Sequence, residues 1–368
     1  VDTVVVASSE DFADALAGTA LAGDAPLLLI PPVDDGSWID VQQEIDRLVG
    51  DGGIVYVLGG DQAVPFTPTP GGYTTRRLAG PTRIETAVAV AHEVLDTNPD
   101  ARHHVLLARA FGPASDPTAA FADSLAAGAY AAAQRIPLLL TPTDTLHPAV
   151  AAFTAELQPA VVSLLGGASA LSTTVETALQ ASAGDVQRVA GATRDETALA
   201  VDRELWADHA DHDRILVDAH DPKAFTWGLP LAALGGSTAS PMLYMTTDGP
   251  SHATRQRLAA LQQPTVTMAG PHDTATARHL VEQVDATLSQ PDSPTAPEPD
   301  PDPPTEHSVV DVVTIHYNPD GDDIAAGAGE YIELAATDPI DVGGWTITDR
   351  VGNTITLPEG YTITPPAT

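Results

Sequence analysis

Phe12-Ala-Asp14-Ala-Leu16-Ala-Gly18, followed by Pro26-Leu-Leu-Leu-Ile30 and Val55-Tyr-Val-Leu-Gly59-Gly60, decides the fold, because the set recurs near a spacing of 110 residues. The second copy reads Phe121-Ala-Asp123, Pro137-Leu-Leu-Leu140 and Val161-Val-Ser-Leu-Leu-Gly166-Gly167. A third, more diverged, reads Phe225-Thr-Trp227-Gly-Leu229, Pro241-Met-Leu-Tyr-Met245 and Val266-Thr-Met-Ala-Gly270. A repeat of this length is a whole α/β unit and not one turn of a solenoid. Three linked copies suit a multivalent binder.

Within a unit, short β-branched or leucine-rich runs alternate with helical patterns. Val4-Val-Val6, Leu27-Leu-Leu-Ile30 and Val55-Tyr-Val-Leu58 are continuously apolar, as strands of a parallel sheet covered on both faces must be. Asp11 to Ala22 and Ile39 to Leu48 have helical character. The order β-α-β-α-β predicts a small doubly wound sheet per unit. A second box follows the glycine pair: Arg77-Leu-Ala-Gly80-Pro-Thr82-Arg83-Ile-Glu85-Thr86-Ala, matched by Arg188-Val-Ala-Gly191-Ala-Thr193-Arg194-Asp-Glu196-Thr197-Ala. Thr82 with Glu85, and Thr193 with Glu196, have the spacing of a capping box, so a helix is expected to start at each. No such box follows Leu288. If the box opens a unit, the first unit lacks its own, and we expect about 25 residues of the natural protein upstream of Val1, the length of one box plus one helix.

From Gln290 to Thr305 the composition changes to seven prolines with interspersed acids, which predicts an extended, self-repelling spacer. Beyond it Val309 to Ile315, Glu330 to Leu334, Gly344 to Thr348 and Thr354 to Leu357 alternate as in a β-sandwich. The remaining length is short of the roughly 100 residues of a two-sheet sandwich, so a partial domain is expected. The expected division is therefore 1–75, 76–187 and 188–289 for the three repeats, 290–306 for the spacer and 307–368 for the partial sandwich.

Charge bounds the partners. Fifty acidic against 16 basic side chains give −34, and Lys223 is the one lysine. Such a field repels nucleic-acid phosphates and anionic membranes. It also fits the solvation strategy of a salt-adapted or extracellular protein. The lack of cysteine rules out disulfides, thiolate zinc sites and cysteine nucleophiles. No run reaches the roughly 20 apolar residues of a membrane span. No signal peptide opens the chain, which starts directly on a strand pattern as a trimmed fragment would.

The Phe-Ala-Asp-Ala-Leu-Ala, Pro-Leu-Leu-Leu, Gly-Gly and Arg-x-Ala-Gly-x-Thr-Arg-x-Glu-Thr-Ala elements together resemble the cell wall binding repeat 2 family over about residues 1 to 290. The resemblance implies three Rossmann-like or toprim-like repeats closed into a pseudo-threefold triangle, monomeric, extracellular and without catalysis. It implies non-covalent attachment of a surface or S-layer protein to an anionic cell wall polymer or peptidoglycan-associated glycan. The third copy departs, since Trp227 stands where Asp14 and Asp123 stand and Ala269-Gly270 replaces the glycine pair. Asn318 to Asp323, Gly329 to Leu334 and Gly343 to Asn353 are similar to a lamin-tail domain, which implies an immunoglobulin-like sandwich.

Candidate polymer-binding residues are Arg77, Arg83, Arg188 and Arg194, which recur in register near a helix start and carry donors suited to phosphate or carboxylate. The same arginines also suit ion pairs that tie one repeat to the next. Asp14 and Asp123 join the list as carboxylates at the head of helices that follow strands, where α/β sheets place ligands, although a carboxylate there also favours the helix dipole. The glycine pairs suit tight turns better than phosphate cradles, since no P-loop lysine accompanies them. His209 to Asp213, with His103-His104 elsewhere, lacks metal-ligand spacing and reads as solvated loop. Asp320 to Asp323 lacks the final glutamate of a calcium loop. No nucleophile elbow appears. No cofactor is expected, beyond divalent cations bridging an acidic protein to an anionic polymer. Two alternatives stay open: a hydrolase whose catalytic domain lies outside this chain, and a structural S-layer or adhesion component.

Overall fold

The computed structural model describes residues 1–289 apart from 32, 34, 35, 70, 114, 115, 117, 210–212, 262, 263 and 271–273, and beyond them the short strands named below. The spacer at 290–306, the His209 to Asp213 stretch in its central part and the Asp320 turn lie outside the described residues. The chain divides into two units, Val1–Asp292 and Ser293–Thr368.

The first sheet is built from β1 (Thr3–Ser8), β2 (Leu27–Ile30), β3 (Ile54–Leu58) and β4 (Thr74–Leu78), with α1 (Ala13–Ala22) and α2 (Ser37–Leu48) as crossovers. Its order is β2-β1-β3-β4, parallel throughout. Val4, Val5, Val6 and Ala7 of β1 are fully buried, as a central strand with helices on both faces requires. The second sheet follows after α3 (Arg83–Thr97): β5 (His104–Arg109), α4 (Ala119–Ala122), α5 (Leu125–Gln134), β6 (Leu138–Thr141), α6 (Pro148–Leu157), β7 (Val161–Leu165), α7 (Thr173–Leu179) and β8 (Asp185–Val189). It has the same parallel order, β6-β5-β7-β8. After α8 (Arg194–Ala200), the third comprises β9 (Arg214–Asp218), α9 (Phe225–Thr238), β10 (Met242–Thr246), β11 (Gly249–Pro250), α10 (His252–Ala259), β12 (Val266–Ala269) and α11 (Thr274–Leu288). Its order is β11-β10-β9-β12, with β11 antiparallel on the edge beside β10.

The box strands β4 and β8 hydrogen-bond to β3 and β7, so each completes the sheet that precedes it. The helix that each box opens covers the next sheet instead: α3 lies on β6 and α8 on β10. A division by sheets thus runs past Leu78 and Val189, whereas the sequence period cuts at 75/76 and 187/188, inside those strands. The two divisions differ because the box serves two units at once.

The central helices α1, α5 and α9 pack on one another. They are rich in alanine and glycine, which brings their backbones close. A Cβ at Gly236 would lie 2.3 Å from the Ala132 Cβ, so the α5–α9 crossing excludes any larger residue there. Where these helices begin, Phe12, Phe121 and Phe225 meet: the ring centroids are 5.5, 6.5 and 5.8 Å apart in tilted and edge contacts. One ring comes from each sheet. Such pairs add about 0.5–1.5 kcal/mol each beyond the area they bury.

The third sheet holds a buried ion group that sequence did not suggest. Arg214 and Asp202 are both fully buried and pair at 2.9 Å, and the second oxygen of Asp202 takes Arg257 Nε at 2.5 Å. In the second unit the described residues form antiparallel pairs: β13 (Val310–His316) with β14 (Tyr331–Ala336), β15 (Ile340–Asp341) with β18 (Thr362–Ile363), and β16 (Thr346–Thr348) with β17 (Thr354–Thr356).

Candidate ligand-binding face

The strands β1, β5 and β9 are parallel to their sheet partners, and the loops leaving their C-terminal ends carry Glu10, Asp11, Phe111, Pro113 and Pro222. This is the end of a doubly wound sheet where ligands usually sit. Here the loops of three sheets converge on one cup of about 450 Å³ above the phenylalanine trio. Its floor is Phe12, Phe121 and Phe225, and its wall includes Phe111, which is 48% exposed. Glu10, Asp11 and Arg83 supply its charge. The volume falls in the range of small-ligand pockets, about 300–1,000 Å³.

Arg83 is positioned by its box. Thr82 Oγ1 accepts from Ile84 N at 3.2 Å and hydrogen-bonds the Glu85 carboxylate, starting α3 with Arg83 as its first residue. From there its guanidinium donates to Asp11 Oδ2 at 2.6 Å and to the carbonyl of Ala110, just past β5, at 3.0 Å. It also stacks over the rings of Phe12 and Phe111, at 5.4 and 4.9 Å from their centroids. Arg194 repeats the arrangement one junction later. Thr193 caps Glu196 N at 3.2 Å, and the arginine donates to Ala219 O at 3.0 Å, Asp116 Oδ2 at 3.2 Å and Thr118 Oγ1 at 3.0 Å. Each of the two therefore spans consecutive sheets with its planar fork.

Arg77 and Arg188 lie lower, on β4 and β8. Arg77 donates to the carbonyls of Gly59, Val64 and Phe66 at 2.8 to 3.0 Å, and Asp61 stands 3.3 Å away. Arg188 donates to Gly166 O at 2.7 Å and pairs with Glu176 at 2.6 Å. Both hold the loop that carries the glycine pair. Of the four arginines, only Arg83 lines the cup.

Asp14 and Asp123 belong to the same loops. Gly59 and Gly166 adopt φ of +98° and +94°, and a Cβ on either would come within 2.5 and 2.6 Å of the Asp14 and Asp123 Oδ2 atoms. The positive φ and the carboxylate both demand glycine at that position. Gly60 and Gly167 have open space where a Cβ would go. Burial pushes the Asp14 carboxyl up to about 6, reinforced by Asp11, while hydrogen bonding from Thr86 and the charge of Arg83 pull it down. Asp14 Oδ1 is buried and has no hydrogen-bond partner among the described residues. Burial likewise raises Asp123, opposed by Thr197, Arg109 and Arg194. Asp123 lies between α4 and α5 and not inside a first helical turn, because the helical segment after β5 is broken there.

Thr86 and Thr197 are residues that sequence reasoning passed over. The amides of Gly80 and Gly191 donate to their hydroxyls at 3.1 and 3.2 Å, and the hydroxyls serve the two aspartates. Their signal was the Glu-Thr-Ala end of each box. Arg109, missed as well, stands 3.6 Å from Asp123 and lines a second hollow of about 190 Å³ with Asp123, Arg194, Gly167 and Gly191. Beside the third sheet Trp227 occupies the aspartate position, and its indole donates to Asp218 O at 3.2 Å. Among the described residues no group of three or more His, Asp or Glu side chains is arranged to hold a metal ion, and no helix is long and apolar enough to cross a membrane.

Solved structures share the fold. The structure of Cwp6 from Clostridium difficile superposes with a TM-score of 0.65 at 22% identity, covering 80% of this chain and 45% of that one. Cwp8 from Clostridium difficile gives 0.63 at 20% identity, covering 78% and 47%. This chain thus spans under half the length of either, and the likeness at such identity concerns the fold. No curated protein matches the sequence. Residues 2–67 and 77–176, less than half of the chain, match the model of the family described as cell wall binding domain 2 (CWB2).

Proposed function

We propose that residues 1–289 form a non-catalytic anchor that holds a cell-surface protein to an anionic polymer of the wall without a covalent bond. Three Rossmann-like repeats in an approximately threefold, monomeric arrangement present one shared face. The proline-rich spacer then carries a partial lamin-tail sandwich. The carrying observation is the CWB2 match, whose two segments include the Glu10–Phe12 and Phe111–Phe121 parts of the cup but not Pro222 or Phe225, joined to the convergence of Phe12, Phe121 and Phe225 on that cup.

Weak contacts repeated along a polymer favour such a body, since each bound segment raises the effective concentration of the next. Arg83 and Arg194 contribute by fixing the sheets against one another and presenting what charge remains to the ligand. Asp14 and Asp123 set the loops beneath. A pulldown of the purified protein on cell walls, before and after removal of their anionic polymers, tests the proposal. Capture on intact walls with loss after stripping is expected. Undiminished capture by stripped peptidoglycan counts against the polymer, and no capture by either counts against anchoring.

A further inference from the structure

The cup differs in kind from the phosphate site that the recurring arginines suggested. Its single cation, Arg83, is already neutralised by Asp11 at 2.6 Å and committed to the Ala110 carbonyl. Glu10 adds a carboxylate that is exposed and, among the described residues, without an ion pair. The cup therefore carries a net negative charge inside a protein at −34, and a bare phosphate entering it meets repulsion.

What remains is an apolar wall with acceptors at its rim. Phe111 is 48% exposed on the wall of the cup, and the Arg83 guanidinium lies 4.9 Å from its ring centroid. Aromatic walls with a few convergent polar groups describe a small-molecule pocket. A sugar ring matches both halves: its C–H face buries against aromatic rings, while its hydroxyls donate to carboxylates in charge-assisted hydrogen bonds.

We propose that the axial cup binds an uncharged saccharide ring, seated against Phe111, with Glu10 accepting from its hydroxyls. This rests on the anchoring reading and refines it. The sugar portion of the wall polymer is gripped in the cup, while its charged groups stay in solvent, where salt or divalent cations screen them.

The test uses the full chain and saturation-transfer NMR with a panel of neutral probes, glucose, galactose, N-acetylglucosamine and N,N′-diacetylchitobiose, beside a glycerol-phosphate oligomer. Transfer to at least one neutral sugar, unchanged between low and molar salt, is expected, with little to the phosphate oligomer. Phe111→Ala should weaken that sugar at least tenfold and Glu10→Gln should weaken it less, both with urea midpoints equal to the parent's. Ile39→Ala, at a distant residue 63% exposed, should leave binding unchanged. Transfer to no neutral sugar, preference for the phosphate oligomer, or indifference to Phe111→Ala overturns the inference. Running the wall pulldown on the same samples separates the two ideas: a Phe111→Ala protein that still binds intact walls as the parent does sinks the cup while sparing the anchor, and a parent that ignores walls sinks the anchor.

Discussion

Replacing Asp14 by asparagine isolates what a half-buried carboxyl contributes at the foot of the cup. Its rise from 3.8 to about 6 comes first from burial. Two pH units, at about 1.4 kcal/mol each, correspond to about 3 kcal/mol between the protonated and ionised forms. The sign follows from linkage: a carboxyl with a raised folded value binds its proton more tightly in the native state. Its contribution to stability is complete below about pH 4 and is lost as pH rises through about 6. Asparagine keeps the shape beside Gly59 and an acceptor for Thr86 but cannot ionise. We therefore expect Asp14→Asn to match the parent near pH 4 and to be more stable by up to about 3 kcal/mol at pH 8, the value of about 6 already including what Thr86 and Arg83 return to the ionised form. Urea unfolding followed by circular dichroism at pH 4, 5, 6, 7 and 8 reads this out, with the difference opening between pH 4 and 6. A loss of more than about 1 kcal/mol in the variant at pH 8 refutes the reasoning. The ionised carboxylate would then be held by charge, with Arg83 or a ligand as its partner.

Other outcomes follow from the same geometry. Gly166→Ala places a methyl 2.6 Å from Asp123 Oδ2 at a φ of +94° and should cost about 2 kcal/mol or more, whereas Gly167→Ala, in open space, should stay within about 0.5 kcal/mol, both by urea midpoint. Phe121→Ala removes a ring at 3% exposure from the trio and should cost about 3–5 kcal/mol. Asp202→Asn removes the buried carboxylate charge that Arg214 and Arg257 both pair with and should destabilise by about 3–5 kcal/mol, and the loss should persist at molar salt because the group lies out of solvent. Binding to intact walls should strengthen as sodium chloride or calcium is titrated in, since the Debye length falls from about 8 Å at physiological salt to about 3 Å at 1 M. Monotonic weakening in both titrations would contradict that expectation.

The sheets were legible because their strands are continuous apolar runs bounded by proline and glycine: Val4 to Val6, Leu27 to Ile30 and Val55 to Leu58 all form strands. The capping boxes were legible for a similar reason, since the spacing of Thr82 and Glu85 is itself the geometry. Residues 74–78 were not, because Thr-Thr-Arg-Arg-Leu at an edge alternates exposed and covered positions with little apolar content. The arginines recur in register, yet the partners that decide their role do not. Asp11 directly precedes Phe12, while Asp116 stands five residues before Phe121, and the carbonyls of Ala110 and Ala219 leave no trace in a side-chain pattern. The pairing of Asp202 with Arg214 was hidden too, because their separation carries no helical or strand period and only the tertiary fold brings them together.

Specificity and net charge meet at the cup. A strongly acidic surface keeps a protein dispersed in salt, but it also denies the molecule the ordinary means of holding a polyanion, a field of free cations. The structure spends its recurring arginines internally: Arg83 and Arg194 on the junctions between sheets, Arg77 and Arg188 on the glycine loops. Rigid junctions then hold the loops of three sheets at fixed distances around four phenylalanine rings. Apolar contact with a ring does not weaken as ions screen the charges. An anchor that recognises the uncharged part of its polymer and leaves the charged part to the solvent thus gains from ambient salt on one count and loses nothing on the other, so the acidity of the chain is compatible with the proposed attachment to a wall.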